Sequence, residues 1–219
     1  MDLPIISIII RIYNDEHYIR KAIQSALNQD FNNYEIIVIN DGSTDSTQEI
    51  IDEFSDEKLI KIQQENKGMI ESGYIGLKQA RGEYVIFLDG DDEFLPNTIK
   101  ELHDNIGNEY FAYSDYYEVK GENKKIVSLE NIFNSLACGI LFKKEVLNEI
   151  GFWRNDLIFP EYDLLLRILQ KNKGVYVRKA LYIYNRHKGS FTADKDRVRK
   201  GREELFKIYG EIEGLKDYD

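Results

Sequence analysis

Four carboxylates occupy five consecutive positions in the segment Asp89-Gly90-Asp91-Asp92-Glu93. Carboxylates held this close together repel one another, which raises the free-energy cost of ionising each of them. A divalent cation with oxygen ligands removes that cost, so the spacing indicates a metal site. The competing interpretation is an acidic loop that caps a helix expected to begin near Pro96, and the segment by itself favours neither interpretation.

The elements that must position this segment are apolar runs separated by helical patterns. Runs without polar alternation are typical of buried parallel strands, and they cover residues 5–10, 34–39, 59–62 and 84–88. Helical periodicity lies between them, which predicts a parallel sheet with right-handed crossovers. Such sheets bind ligands at the carboxyl ends of their strands. The acidic segment follows the fourth run and should therefore lie at the binding edge.

Two other polar segments follow strands at the same predicted edge. Asp41-Gly42-Ser43 comes after the second run, where a carboxylate can accept a hydrogen bond from a base or a ribose. Tyr13 comes after the first run, where its ring could stack on a flat base. The plainer interpretations are a turn with a helix N-cap and an ordinary packing tyrosine. Among the cap candidates, Asn14 or Asp15 should begin the first helix and Ser43 or Thr44 the second.

The second half of the chain is predicted to be mixed α+β within the same domain. Short strands are expected at residues 110–117, 126–127, 139–142 and 175–184, with a helix over 164–169. We expect residues 1–107 and 108–193 to form two halves of one domain, followed by a helical tail over 194–219. The apolar positions of that tail, which we expect on one helical face, are Val198, Leu205, Ile208 and Ile212.

Composition excludes some classes of partner. The net charge of the 219-residue chain is −10, which disfavours nucleic acid, because phosphate backbones require clustered Lys and Arg. Cys138 is the only cysteine, so no internal disulfide can form and a reducing, cytoplasmic location is expected. We expect neither a signal peptide nor a membrane span. The charged tail leaves peripheral membrane contact and self-association open.

Taken together, the motifs resemble the family 2 glycosyltransferases of the GT-A fold. The stretches that carry the resemblance are residues 5–15 (IISIIIRIYND), 26–29 (ALNQ), 36–45 (IIVINDGSTD), 66–68 (NKG) and 80–92 (ARGEYVIFLDGDD). Further along, residues 139–144, 150–152, 160–167 and 184–190 are similar to the family in the same order. The resemblance implies a Rossmann-like, mostly parallel sheet flanked by helices.

The resemblance also implies a reaction, the inverting transfer of a sugar from a nucleotide-diphosphate donor, by family tendency a UDP-sugar, to an acceptor hydroxyl. Asp41 would hold the base, with Tyr13 stacked on it, and Asp89 would contact the ribose or water bound to a metal. Asp91 would be the main carboxylate ligand of Mn²⁺ or Mg²⁺, and His187 a further ligand of the metal or diphosphate. Taken alone, His187 is an ordinary loop histidine.

The general base of an inverting transfer removes the proton of the acceptor hydroxyl. In the family this base is the Asp of a Glu-Asp pair, and the matching residue here is Glu161, preceded by Pro160 in place of Glu. Asp163 is the alternative base. The competing interpretation makes Glu161 a carboxylate favoured by the helix dipole and pairs Asp163 with Arg167. Arg186 and Lys188 are expected to add positive charge near the leaving group.

Arg11 is a departure from the family, which usually has Pro or a small residue there. A second departure is the loss of a family cation, because the Ala-Arg-Asn run of the family matches Ser72, Gly73 and Tyr74 here. We hypothesise that Arg11 replaces that cation near the donor.

Three other functions can be compared with glycosyl transfer. A sugar nucleotidyltransferase would need a Gly-rich, basic loop after the first strand, which the sequence lacks. A dehydrogenase would need a Gly-x-Gly-x-x-Gly motif directly after a strand, and no predicted strand is followed by one. A catalytically impaired relative that only binds nucleotide or sugar stays open, as does the acceptor, which could be a glycan, a lipid-linked molecule or a protein.

Overall fold

The computed structural model describes residues 3–134 and 139–215, so Cys138 and the end of the tail lie outside the described residues. The first half alternates strands and helices as predicted. Its elements are β1 (Ile6–Ile12), α1 (Ile19–Leu27), β2 (Tyr34–Asn40), α2 (Thr47–Asp52), β3 (Leu59–Gln63), α3 (Met69–Gln79) and β4 (Tyr84–Asp89). Every residue of β1 and β2 is buried, which explains why their sequences lack polar alternation.

The second half is mixed, also as predicted. Its elements are β5 (Glu93–Phe94), α4 (Thr98–Ile106), β6 (Phe111–Lys120), β7 (Asn123–Val127), β8 (Leu141–Lys143), α5 (Lys144–Ile150), α6 (Pro160–Leu169), β9 (Val175–Asn185) and α7 (Lys195–Tyr209). One sheet runs through both halves in the order β3-β2-β1-β4-β8-β6-β9-β5, with β7 paired to β6. Strands β1 to β4 pair in parallel, and β8 pairs antiparallel to both β4 and β6.

The register of the parallel strands brings their polar ends together. Arg11 of β1 is paired with Asp89 of β4, and Ile12 of β1 with Asn40 of β2. The N–H of Asp41 donates to the carbonyl of Ile12 at 2.8 Å. The three strand ends therefore form one polar edge, which is where parallel sheets bind ligands.

The acidic turn after β4 is fastened to the end of β9. Strand β5 follows this turn directly and pairs antiparallel with β9. Asn185 donates its backbone N–H to Asp92 Oδ1 at 2.9 Å and its side-chain Nδ2 to the carbonyl of Asp91 at 2.8 Å. These bonds hold the loop after β9, which carries His187, beside the acidic turn.

The predicted helix caps are wrong. The N-caps of α1 and α2 are Tyr18 and Ser46, neither of which caps through its side chain. The polar residues instead join the two loops to each other, because the N–H of Asn14 donates to Ser43 Oγ at 2.9 Å and that of Thr44 donates to Asn14 Oδ1 at 2.8 Å. The acidic segment does not cap α4 either, since its N-cap is Asn97, without a side-chain cap bond.

The C-terminal helix packs on the body, as predicted, but with different residues at its end. A second apolar cluster joins it to α6 and contains Phe159, Tyr162, Val198, Leu205, Ile212 and Leu215. The prediction for Ile208 is wrong, because this residue is 45% exposed and does not belong to the cluster. Ile212 is buried but lies beyond the helix, which ends at Tyr209 before Gly210 adopts a φ of 76°. No helix among the described residues is both long and apolar enough to cross a bilayer.

Candidate active site

A cavity of about 300 Å³ opens at the carboxyl ends of β1, β2 and β4. All seven residues that the sequence singled out for binding, metal ligation or catalysis line it. They are Arg11, Tyr13, Asp41, Asp89, Asp91, Glu161 and His187. Residues separated by as much as 176 positions in the sequence thus converge on one site.

The acidic turn brings several carboxylates that repel one another into this cavity. Burial and the neighbouring charge of Asp89 raise the pKa of Asp91, while hydrogen bonding to His187 opposes the rise. Asp15, which the sequence suggested only as a helix cap, also lines the cavity. Burial, followed by the charges of Asp91 and Asp89, raises the pKa of Asp15 to about 7. Added positive charge would relieve this repulsion.

His187 is held in one orientation beside Asp91. Its Nε2 lies 2.9 Å from Asp91 Oδ2, and its ring stacks on Tyr18 with the ring centres 4.7 Å apart. The backbone N–H of His187 donates to Ser190 Oγ at 3.0 Å, which fixes the turn of the loop. Because these contacts come from three different segments, the ring position is set by the fold.

Asp91 and His187 together fit part of the coordination shell of a divalent ion. Among the described residues, no group of three or more His, Cys, Asp or Glu side chains is arranged to hold a metal. The 2.9 Å between His187 Nε2 and Asp91 Oδ2 nevertheless matches the roughly 3.0 Å expected between adjacent ligands of an octahedral ion with bonds of about 2.1 Å. An ion held by two side chains leaves positions for water and phosphate oxygens, as Mg²⁺ sites commonly do.

Arg11 lies on an aromatic platform inside the cavity. Its side chain is 5% exposed and forms an ion pair with Asp89. The guanidinium carbon lies 4.5 Å from the centre of the Trp153 ring, a cation–π distance. Trp153 in turn lies against Gly73, where an added Cβ would come within 2.4 Å of the ring. The only tryptophan of the chain thus occupies the space that a side chain at position 73 would need, which is the position to which the family resemblance assigned a cation.

Glu161 and Asp163, the two candidate bases, lie in different environments. Glu161 is partly buried in the cavity wall, in the first turn of α6. Burial raises the pKa of Glu161 to about 7, although its own backbone N–H and the charge of Arg11 oppose the rise. Asp163 is fully buried away from the cavity, where it accepts from Tyr209 Oη at 2.5 Å and from Arg167 Nε at 2.9 Å. This geometry gives Asp163 a role in holding α7 to α6.

Asp41 organises the loop that follows β3. Its Oδ1 accepts from Gln64 Nε2 at 2.6 Å and from the N–H of Lys67 at 2.8 Å, and its Oδ2 accepts from the N–H of Gly68 at 2.8 Å. A carboxylate has about four acceptor positions, so Asp41 retains capacity for a further donor. Tyr13 lies at the cavity mouth, 49% exposed. An exposed ring beside a buried carboxylate suits a flat polar ligand such as a base.

The expectation that Arg186 and Lys188 add charge to this cavity is not met. Neither lines it, and both line a neighbouring cavity on the other side of the loop that carries His187. Conversely, no role was predicted for Trp153 or Phe159, which line the candidate active-site cavity. The one sequence signal for Trp153 was that it is the single tryptophan of the chain. Its contact with Gly73 could not be predicted from a local pattern, because Gly73 lies 80 positions away.

The sheet order, with a polar cavity at the carboxyl ends of its parallel strands, is that of the GT-A fold class. The sequence profile described as "Glycosyl transferase family 2" matches residues 7–167, and the chain therefore belongs to that family, as its motifs predicted.

Curated relatives and solved structures agree with this membership. The chain is 31% identical over 218 residues to the glycosyltransferase GlyA of Streptococcus pneumoniae, covering 85% of this chain but 31% of GlyA. It is 31% identical over 214 residues to the Escherichia coli protein WfaP, named UDP-Glc:alpha-D-GlcNAc-diphosphoundecaprenol beta-1,3-glucosyltransferase, covering 88% of this chain and 82% of WfaP.

The structure of S. aureus TarS 1-349 with UDP-GlcNAc superposes with a TM-score of 0.72 at 23% identity, over 92% of this chain and 66% of that one. The mannosyltransferase PcManGT from Pyrobaculum calidifontis, solved with GDP-Man and Mn²⁺, gives a TM-score of 0.71 at 17% identity, over 95% and 64%. These likenesses confirm the predicted fold.

Proposed function

We propose that this chain transfers a sugar, with inversion, from a nucleotide-diphosphate donor to an acceptor hydroxyl, and that the reaction depends on Mn²⁺ or Mg²⁺. The observation that carries the proposal is the convergence of Asp91, His187 and Glu161 on one cavity. The pair Asp91–His187 suits a divalent ion, and Glu161 suits a general base near neutral pH. Residues 1–107 would form the donor side and residues 108–193 the acceptor side.

Donor binding is assigned to the three strand ends. Asp41 accepts a hydrogen bond from the base, and Tyr13 stacks on it. Asp89, neutralised in part by Arg11, contacts the ribose or water bound to the ion. UDP is the preferred nucleotide in this proposal, since TarS was solved with UDP-GlcNAc and UDP and WfaP is named for UDP-Glc. The Mn²⁺ in the PcManGT structure supports the metal.

The chemical step uses Glu161 as the base. Its carboxylate takes the proton of the acceptor hydroxyl while the acceptor oxygen forms a bond to the anomeric carbon. The bond from that carbon to the diphosphate oxygen breaks, and the electron pair leaves with the nucleoside diphosphate. A divalent ion held by Asp91 and His187 would supply positive charge to the departing diphosphate. The single cysteine supports a reducing compartment, so cytoplasmic action is part of the proposal.

The test is a thermal-shift panel of UDP, GDP, dTDP and their sugars, with and without Mn²⁺, followed by a hydrolysis assay. A nucleotide at about a hundred times its dissociation constant should add roughly 2.7 kcal/mol of stability. We expect stabilisation and slow Mn²⁺-dependent hydrolysis of a UDP-sugar, both lost in Asp91→Asn and kept in Asp156→Asn, a surface control. Stabilisation without turnover would instead indicate a binding protein, and formation of a nucleotide sugar from sugar phosphate would indicate a nucleotidyltransferase.

A further inference from the structure

Helix α7 contacts the chain on both sides of the candidate base, Glu161. Before it, the backbone N–H of Ile158 donates to Glu204 Oε2 at 3.0 Å. After it, Tyr209 Oη donates to Asp163 Oδ1 at 2.5 Å. The segment between α5 and α6 forms neither helix nor strand. Its path therefore depends on tertiary contacts, since a segment without regular hydrogen bonding is otherwise free to open locally.

The same segment meets α7 closely at Gly201. An added Cβ at this position would lie 2.3 Å from Cδ2 of Phe159 and 3.0 Å from Cγ2 of Ile158, so any side chain there would push the helix and the segment apart. Gly201 is the seventh residue of a helix of fifteen. Glycine in the interior of a helix is less stable than alanine. The helix is therefore weaker than it could be at the one point where it meets Phe159.

Phe159 transmits this contact to the candidate active site. It is 3% exposed, it lines the cavity together with Glu161, and its ring lies edge-on to that of Phe191 with the ring centres 5.8 Å apart. Only Pro160 separates Phe159 from Glu161, at the first position of α6. Because the proline ring fixes φ, little rotation is possible between the two residues. A displacement of Phe159 should therefore displace Glu161.

Helix α7 is also the direct continuation of the loop that carries His187. The helix begins at Lys195, eight positions after His187, and a short turn over Phe191–Ala193 connects them. The position of α7 thus relates the base to the proposed metal ligands. A displacement reaction requires the attacking and leaving atoms to be aligned within a narrow range. The base and the ion must therefore keep a fixed separation.

We propose that α7 positions the carboxylate of Glu161 relative to the proposed metal ligands, with Gly201 and Glu204 as the positioning residues. This inference rests on the proposed function, because it concerns the base of the same reaction. Both positioning residues lie outside the lining of the cavity. They act through the segment that leads into α6.

The first experiment compares Glu204→Ala with Glu204→Gln and with Glu203→Ala, which makes the same change at the next position, on the exposed side of α7. Glutamine keeps an oxygen that can accept the N–H of Ile158. We expect kcat for Mn²⁺-dependent hydrolysis of a UDP-sugar to fall about ten- to a hundredfold in Glu204→Ala, since small misplacements of a reacting group are costly. Glu204→Gln should restore kcat, and Glu203→Ala should not change it. The affinity for UDP with Mn²⁺ should be the same in all variants, because the strand ends bind the donor.

The second measurement is independent of turnover and follows the ionisation of Glu161 by carbon-13 NMR of its carboxyl group, identified by its absence from Glu161→Gln. Burial raises the pKa of Glu161 to about 7, while the charge of Arg11 opposes the rise and that of Asp89 adds to it. In Glu204→Ala and Gly201→Ala, the pKa should move towards 4.5, the ordinary value, because the carboxyl is held less firmly in the cavity wall. Alanine favours helix, so a weaker α7 cannot explain the result for Gly201→Ala.

Asp194→Ala separates positioning from a general effect on stability. It removes the N-cap bond from the N–H of Arg197, 3.0 Å long, and should destabilise α7 while leaving kcat and the pKa of Glu161 unchanged. An equal loss of kcat in Asp194→Ala, or an unchanged kcat and pKa in Glu204→Ala and Gly201→Ala, would overturn the proposal. If no protein hydrolyses a UDP-sugar while the pKa of Glu161 still shifts, the proposed function fails and the positioning of this carboxyl by α7 stands.

Discussion

Arg11 and Asp89 are directly opposite each other on the parallel strands β1 and β4, and their side chains form an ion pair inside the candidate active site. The pair is a cross-strand neighbour contact, so the sheet register itself sets its geometry. Arg11 thereby lowers the negative charge that a donor diphosphate would meet.

Replacing Arg11 should weaken donor binding. In Arg11→Ala, the charge of Asp89 is no longer compensated and Trp153 loses its cation, so we expect the affinity for UDP with Mn²⁺ to fall about tenfold. Arg81→Ala is the matched control, because Arg81 also pairs with a buried strand carboxylate, Glu35, at 2.7 Å but outside the cavity. Calorimetry checks both variants, and unchanged affinity in Arg11→Ala would refute a donor-binding role.

Replacing His187 should weaken metal binding. We expect His187→Ala to lower the affinity for Mn²⁺ in the presence of UDP by about tenfold or more, since one of the two side-chain ligands is removed. His17→Ala, whose ring is 82% exposed, is the control and should bind Mn²⁺ normally. Electron paramagnetic resonance of free Mn²⁺ measures the difference directly. Equal binding by the two variants would remove His187 from the metal site.

Replacing Glu161 should reduce turnover and leave donor binding intact. A general base contributes about 10²- to 10⁴-fold to rate, so Glu161→Gln should lose that much in kcat while its UDP affinity changes less than about twofold. Glu203→Gln, on the exposed side of α7, serves as the control. A Glu161→Gln enzyme with normal kcat would assign the base to another residue.

The pH dependence of activity and that of stability should both reflect the raised pKa of Glu161. Glu161 acts only when deprotonated, and its pKa is raised to about 7, so kcat/KM should rise with pH through about 7. The folded state holds the Glu161 proton more tightly than the unfolded chain. This carboxyl therefore lowers the free energy of unfolding as pH rises from about 4.5 to about 7. Urea titrations of Glu161→Gln should show a smaller decrease in the free energy of unfolding over that pH interval than those of the unaltered chain.

Replacing Asp163 should act on stability. Its carboxylate is fully buried between Arg167 and Tyr209, so Asp163→Asn should lower the free energy of unfolding by about 2–3 kcal/mol. Asp196→Asn removes an exposed partner of Arg199 on α7 and should change the free energy of unfolding by less than about 0.5 kcal/mol. Urea denaturation measures both. A large loss of kcat in Asp163→Asn with unchanged stability would contradict this assignment.

Local patterns predicted β1, β2 and β4 because almost every residue of these strands is buried. The acidic turn could be placed because it follows β4 in sequence and parallel strand ends meet at one edge. The convergence of Asp91, Glu161 and His187 required the family resemblance, since Asp91 and His187 are 96 positions apart and no local pattern predicts the pairing of β5 with β9 that brings them together. The wrong helix caps at Asn14 and Ser43 have a similar cause, because these side chains bond between loops and a local pattern cannot show that.

Arg186 and Lys188 were misplaced for a geometric reason. They flank His187 in the sequence, and adjacent residues at a strand end point to different sides. The ring of His187 contacts the acidic turn, whereas Arg186 and Lys188 line only the cavity on the other side of this loop. A motif that appears to be one functional unit is thus divided between two cavities by the local backbone.

Because of the contact between Gly73 and Trp153, the residue types possible at positions 11, 73 and 153 depend on one another. A side chain at 73 and an indole at 153 exclude each other, and the indole is what carries Arg11. In relatives that have arginine at position 73, we therefore expect a smaller residue at 153 and no arginine at 11. Arg11 on Trp153 and an arginine at position 73 are two alternative ways to supply the same positive charge. A variant of this chain with only one of these changes would therefore combine parts of two incompatible arrangements.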